Sequence, residues 1–147
     1  FFVKTARELA HRLGVKCVIS PCGMNTRYHN PRGLTGICPD FLVQLSRHAK
    51  YIVAGRTFHG TVMGVLFNKP LLALDRDMPK HQSRYGALLK DLGCLERLVN
   101  STHTIDEMLQ RLTAPLPDFS RIEKWRSESI NWLRNAVMAN EKKGNSI

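Results

Sequence analysis

The sequence lacks the features that mark secreted or membrane-spanning proteins. It begins Phe1-Phe2-Val3, and it has neither a charged leader followed by a signal-type apolar stretch nor a long apolar span. We therefore expect a soluble piece, one that can belong to a longer chain, with no transmembrane segment. Its 147 residues fit one domain of ordinary size, and a domain of this length buries roughly two-thirds of its unfolded surface.

Cysteine is scarce and irregularly spaced. The four cysteines, at positions 17, 22, 38 and 94, form no C-x-x-C pair and match no familiar zinc spacing. Cys22, His29 and Cys38 share one loop and are a conceivable metal site. The alternative, which we favour, is unpaired thiols in a reducing compartment. We therefore predict no metal, no cofactor and a cytoplasmic location.

Acidic residues are also few. Lysine and arginine number 22 against 12 aspartates and glutamates, which gives a formal charge of +10. Such an excess favours an anionic partner, such as a phosphate, an acidic glycan, a nucleic acid or a membrane surface. The positive charges are dispersed in short groups such as Lys142-Lys143, which argues against a basic arm. We expect no specific nucleic-acid partner.

Helical and strand-like patterns alternate along the first half of the chain. Short connections between alternating strands and helices favour a parallel sheet, because a helix returns the chain to begin another parallel strand. The predicted class is therefore α/β, with a Rossmann-like sheet flanked by helices. The predicted order is a helix in "VKTARELAHRLG" closed by Gly14, a strand-like run "VKCVIS", a long loop from Pro21 to Pro39, a helix from Pro39 or Asp40, a strand Tyr51 to Ala54, a helix Thr61 to Phe67 and a strand Leu71 to Leu74.

The second half reads as helical. "SRYGALLKDLG" predicts a helix that Gly93 stops, and "THTIDEMLQRLT" predicts another, capped by Thr104 or Thr102. The breaker "APLPD" then precedes a long C-terminal helix over residues 119–140, which contains both tryptophans.

The join between the strand Tyr51 to Ala54 and the next helix carries the chemistry. It reads "GRTFHGT", and in a parallel sheet ligands bind beyond the carboxyl ends of the strands. Gly60 and Thr61 are expected to open the helix with unpaired N–H groups that suit an anion. Arg56 can hold an oxyanion by two hydrogen bonds, and His59 can donate to phosphate or move a proton. The alternative is that His59 caps the helix and Arg56 is a solvated charge.

The stretch "GRTFHGTVMGVLFNKPLLAL" resembles the signature of the polysaccharide pyruvyl transferases. In that family a strand ends in S-F-H-G-T or R-F-H-G and is followed by a short helix and K-P. "PDFLVQLSRHAKYIVAG" is similar to the helix and strand that precede the signature, and "SRYGALLKDLGCLERLV" to a later R-F-x-x-L-L segment. The resemblance extends from Pro39 to Val99.

The resemblance implies the C-terminal, donor-binding half of a two-domain enzyme similar in architecture to GT-B glycosyltransferases, with the N-terminal half missing. It implies transfer of a pyruvyl group from phosphoenolpyruvate to a sugar or glycan acceptor, as a ketal, in cell-surface polysaccharide synthesis. His59 is carried over as the catalytic residue, a donor-binding group and general acid.

Some positions depart from the family pattern. The family arginine stands two places before the histidine, where this chain has Thr57, which matches the S-F-H-G form. Arg56 lies one place earlier, and on an extended segment its side chain would point the opposite way. Lys80 and Arg84 can neutralise the donor phosphate if their loop lies at the same sheet edge, or else are ordinary surface charges. The predicted donor-binding set is Arg56, Thr57, Gly60, Thr61, Lys80 and Arg84.

Two other functions fit the same residues. A nucleotide-sugar glycosyltransferase of the GT-B type would place its donor phosphates on the same helix start, although only Asp75 offers itself as an acid for the ribose. A non-catalytic domain that binds acidic ligands would keep the fold without the chemistry.

Overall fold

The computed structural model describes residues 1–20, 39–75 and 83–144, with side chains described through residue 135. It is an α/β protein with a small, open, three-stranded parallel sheet flanked by helices, as the alternating pattern predicts. The chain divides into two compact units, Phe1–Pro117 and Asp118–Ile147. The single domain expected over residues 1–147 stays a prediction.

The sheet has the order β1-β2-β3, and both strand pairs are parallel. Ala54 of the first strand lies opposite Ala73 of the second, and Ala73 lies opposite Leu98 of the third. The strands are β1 (Ile52–Gly55), β2 (Leu71–Leu74) and β3 (Leu98–Val99), and a 3₁₀ turn spans Leu95–Arg97. The helices are α1 (Phe2–Arg12), α2 (Pro39–His48), α3 (Phe58–Leu66), α4 (Arg84–Asp91), α5 (Ile105–Thr113) and α6 (Ser120–Gly144).

Both faces of β2 are buried. Leu72 and Leu74 lie on one face, in a cluster with residues of α1, β3 and α5. Leu71 lies on the other face, where a Cβ added at Gly64 of α3 would come within 2.9 Å of its side chain. Strand residues alternate between faces, so a strand covered on both sides is apolar throughout.

The N-terminal predictions are confirmed for the helices and wrong for one strand. α1 ends before Gly14, whose φ of 62° is the left-handed conformation expected of a closing glycine. Residues 15–20 form no strand, and Val18 is 46% exposed. β-branched residues favour strands only where a neighbouring strand supplies a ladder, and no described strand pairs with this run. Cys22, His29 and Cys38 lie outside the described residues.

In the second half, the residues predicted to end one helix and begin the next are confirmed. Gly93 follows α4 with a φ of 69°, and Thr104, not Thr102, caps α5 in a reciprocal capping box with Glu107. The long helix expected over 119–140 is α6, and Asp118 accepts from the Ser120 amide at 2.8 Å just before it. In the described part of the chain, no helix is long and apolar enough to cross a membrane.

A buried arginine connects β3 to the end of α5. Arg97 is 2% exposed, and its guanidinium donates to four backbone carbonyls. The last carbonyls of a helix have no partner within it, and the arginine's donors supply one. The acceptors are the carbonyl oxygens of Arg111, Leu112 (3.4 Å), Ala114 (3.0 Å) and Pro115 (2.6 Å). Arg97 therefore has a structural role, because it satisfies the carbonyl groups at the end of α5.

Replacing Arg97 with methionine should lower the free energy of unfolding by about 2–4 kcal/mol, because it leaves several buried carbonyls unpaired. Lysine should rescue little, since a point charge cannot reproduce the planar fork. Arg111→Met is the control: Arg111 donates to the Glu96 carbonyl at 3.0 Å in an exposed position, so we expect less than about 1 kcal/mol. Urea unfolding measures both, and equal costs would contradict the structural role.

Candidate functional site

The carboxyl ends of the three parallel strands lie at one edge of the sheet, and polar residues follow each of them. The ladder continues one residue past β1 and past β2: the Arg56 amide donates to the Leu74 carbonyl at 2.9 Å, and the Asp75 amide donates to the Val99 carbonyl at 2.8 Å. These bonds fix the backbone at Arg56 and Asp75 on this edge. The strand order is sequential, so no order reversal of the kind that often marks a ligand crevice occurs among these three strands.

Thr57 is the N-cap of α3, which begins at Phe58, three residues before the expected start at Thr61. Its Oγ1 accepts from the Gly60 amide at 3.4 Å, and its carbonyl accepts from the Thr61 amide at 3.3 Å and from the Thr61 hydroxyl at 3.1 Å. The expectation that the Gly60 and Thr61 amides are free is therefore wrong. The amides at the helix start that make no bond to Thr57 are those of Phe58 and His59.

Gly60 serves packing between α3 and β1. A Cβ at this position would lie 2.8 Å from Thr57 Cγ2 and 3.1 Å from the Ala54 side chain. Thr61, one residue on, is completely buried. The structure thus gives Gly60 and Thr61 a role in bringing the first turn of α3 close to the end of the strand.

Arg56 adopts a left-handed backbone conformation with φ 50°, and its side chain is exposed. A residue with a Cβ is uncommon in this region, which costs roughly 1–2 kcal/mol relative to the right-handed form. The segment is therefore not extended at Arg56. Arg56 therefore need not point away from the position expected for the family arginine, as it would on an extended segment.

His59 is exposed at the second position of α3, beside the half-buried Phe58, and the two rings meet edge to face with centroids 6.2 Å apart. The Arg84 guanidinium lies over the Phe58 ring, 5.5 Å from its centroid. Arg84 is the first residue of α4, after the cap Ser83, whose Oγ accepts from the Gly86 amide at 3.1 Å. The structure thus brings His59 and Arg84 to the same aromatic ring. Lys80 lies outside the described residues.

Asp75 and Tyr85 form a buried pair at this edge that the sequence reasoning missed. Their exposed fractions are 3% and 8%, and the Tyr85 hydroxyl lies close enough to the Asp75 carboxylate to donate a hydrogen bond to it. Burial, followed by this bond and the negative charge of Asp75, raises the pKa of Tyr85 to about 12, whereas a bond from Ser83 and the charge of Arg56 act in the opposite direction. An aspartate directly after a wholly apolar strand was the available signal.

The two helix starts at this edge favour an anion. Neither α3 nor α4 has an acidic residue in its first turn, and the helix dipole is positive there. Arg56, His59 and Arg84 therefore stand at helix starts where an anion is favoured and a cation by itself is not. Among the described residues no group of three His, Cys, Asp or Glu side chains could hold a metal ion.

Comparison of the chain with protein-family models, with curated proteins and with solved structures finds no match. The resemblance to pyruvyl transferases therefore depends on the residues of the signature and stays a prediction.

The raised pKa of Tyr85 predicts a loss of stability in alkali. The unfolded chain releases this proton near pH 10 and the folded chain near pH 12, so the stabilisation is fully present below pH 10 and declines above it. Between pH 9 and 11 the wild type should lose about 1 kcal/mol relative to Tyr85→Phe, measured by urea unfolding at each pH. A difference that stays constant with pH would contradict the buried hydroxyl.

Proposed function

We propose that this chain is the donor-binding half of a polysaccharide pyruvyl transferase-like enzyme of the GT-B type. The enzyme transfers a pyruvyl group from phosphoenolpyruvate to a sugar as a ketal, in the synthesis of a cell-surface polysaccharide in the cytoplasm. The observation that carries the proposal is the Thr57-Phe58-His59-Gly60 turn, which follows a parallel strand at its carboxyl end and presents an exposed histidine in the first helical turn.

Phosphoenolpyruvate carries a phosphate and a carboxylate, and this edge offers donors of matching charge. Arg56 and Arg84 supply guanidinium groups that bind oxyanions by two hydrogen bonds. The Phe58 and His59 amides add neutral donors at the positive end of α3. Thr57, Gly60 and Thr61 act by shaping the turn, and Lys80 remains in the proposed donor set by its place after the K-P sequence.

His59 acts as the general acid in this proposal. Ketal formation requires that a proton reaches the methylene carbon of phosphoenolpyruvate, that two sugar hydroxyls add to its C2 and that phosphate leaves. A protonated imidazole can deliver that proton. The exposed position of His59 leaves its ring accessible to a donor on this edge.

α6 supports the assignment to half of a larger enzyme. Within its own unit this helix exposes Trp125, Ile130, Trp132 and Leu133, of which Trp132 is 69% exposed. Apolar groups of this size are usually covered by a partner. We assign them to contact with the missing N-terminal half, and the chain alone then binds the donor without transferring it.

The glycosyltransferase alternative is less well supported. Its ribose contact would fall to Asp75, which is only 3% exposed and lies beside the Tyr85 hydroxyl. No described observation favours the non-catalytic alternative over the enzyme.

Phosphoenolpyruvate should bind the 147-residue chain, and phosphate should bind more weakly, both detectable by calorimetry. His59→Ala should weaken binding of phosphoenolpyruvate by about tenfold, because it removes one hydrogen bond to a charged group. Amide exchange should slow at Phe58 and His59 and change little at Gly60 and Thr61, whose amides are already bonded.

His48→Ala is the matched control, because His48 is also exposed and ends α2 before β1 begins, at the opposite edge of the sheet. It should bind as the wild type does. No heat with either ligand would reject the donor site, and tighter binding of a nucleotide sugar would favour the glycosyltransferase.

In a protein that contains both halves, His59→Ala should lower turnover by about a hundredfold or more, as loss of a positioned acid does. Arg56→Ala should mainly raise the KM for phosphoenolpyruvate, because it neutralises charge without moving a proton. Steady-state assay of phosphate release in the presence of the sugar separates the two effects. An equal, severe loss of turnover in both variants would show that Arg56 takes part in the chemical step.

A further inference from the structure

Four side chains connect the end of β2 to the first turn of α3. The Asp75 carboxylate lies close to the Tyr85 hydroxyl, and Arg84, next to Tyr85 in sequence, stacks on Phe58. α3 and α4 also pack against each other. The connection therefore runs from a buried acid at the end of β2 to an exposed cation over Phe58, the residue before His59.

The Asp75–Tyr85 pair fixes the start of α4. Asp75 is held by its own amide bond to the Val99 carbonyl at 2.8 Å, and its carboxylate is buried on that rigid edge. Tyr85 is the second residue of α4, so its hydroxyl attaches the first turn of this helix to β2. Because the pKa of Tyr85 is about 12, the hydroxyl keeps its proton and remains a donor across the neutral range.

Arg84 depends on that attachment. It is an exposed arginine at the first position of a helix, where the dipole disfavours a cation, and the Phe58 ring is its described contact. A long, flexible side chain in such a place reaches a fixed point only if its own backbone is fixed. The Ser83 cap restrains this backbone from within α4, and the neighbouring Tyr85 can restrain it from the sheet.

We propose that Tyr85 donates a hydrogen bond to Asp75 and thereby acts as a positioning residue, which holds Arg84 over Phe58 in the turn that carries His59. Arg84 is thereby set to contact the donor phosphate, an inference that rests on the proposed function. Arg56 lies at the same edge of the sheet, where its positive charge acts to lower the pKa of Tyr85.

The first experiment reads the position of Arg84 without any ligand. In the 147-residue chain, the Arg84 side-chain protons should show an upfield ring-current shift in NMR spectra, defined against a Phe58→Leu variant. Tyr85→Phe keeps the ring packing and removes the hydroxyl, and it should abolish most of this shift. Tyr51→Phe, at the other edge of the sheet, should leave it unchanged. An Arg84 shift that survives in Tyr85→Phe overturns the positioning role, whether or not the chain binds phosphoenolpyruvate.

The second experiment measures the consequence for binding, with phosphoenolpyruvate and inorganic phosphate as probes in calorimetry. Tyr85→Phe should weaken phosphoenolpyruvate by about three- to tenfold, as the misplacement of one hydrogen bond to a charged group does. In the Arg84→Gln background the same change should have no further effect, because the residue being positioned is gone. Circular dichroism confirms that each variant is folded, so that lost stability alone cannot mimic the result.

The two experiments separate the failures. Independent, additive losses from Tyr85→Phe and Arg84→Gln would overturn the positioning role while leaving the donor site intact. If the wild type does not bind phosphoenolpyruvate, the donor site and the assignment of Arg84 to its phosphate are rejected. If the ring-current shift is nevertheless lost in Tyr85→Phe, the link from Tyr85 to Arg84 is supported.

Discussion

The burial of β2 on both faces is the constraint on which the rest of the structure depends. Leu72 and Leu74 pack toward α1 and α5, and Leu71 packs against α3. A strand covered in this way has no polar side chain along its length, and its backbone bonds to a neighbour on each side. Polar chemistry is therefore confined to its ends, which is why Asp75 and the groups around it collect at the carboxyl edge.

Much of the fold follows from short-range patterns. Apolar spacing and closing residues predicted α1, α2, α4, α5 and α6, and the two apolar runs predicted β1 and β2. β3 was missed because two residues cannot show a strand period. The run at 15–20 was predicted wrongly because β-propensity has meaning only beside a partner strand. The start of α3 was placed late because the Thr57 side chain caps the helix three residues earlier than the glycine suggested.

Only the part of the candidate site that lies within one short segment could be predicted from the sequence. Local sequence indicated His59 and Arg56, because a strand-to-helix turn is visible as a break between two patterns. The link between Asp75 and Tyr85 crosses from a strand to a different helix, and no periodicity in one segment records such a contact. Gly60 is the opposite case. Its place in the signature suggested that a ligand approaches it, whereas the close packing of Ala54 and Thr57 explains why a glycine is needed there.

The sequential strand order has a consequence for how the chain folds. Ile52 pairs with Leu71, nineteen positions later, and Ala73 pairs with Leu98, twenty-five positions later. Each pairing closes a short loop, and the entropy cost of closure rises only slowly with loop length. β2 and β3 also each pair with a strand that precedes them in the chain. When β2 is synthesised its partner β1 is already present, and when β3 is synthesised its partner β2 is present, whereas Arg97 is synthesised before its acceptors at the end of α5. The sheet can therefore assemble in the order of synthesis, with the arginine contacts completing it last.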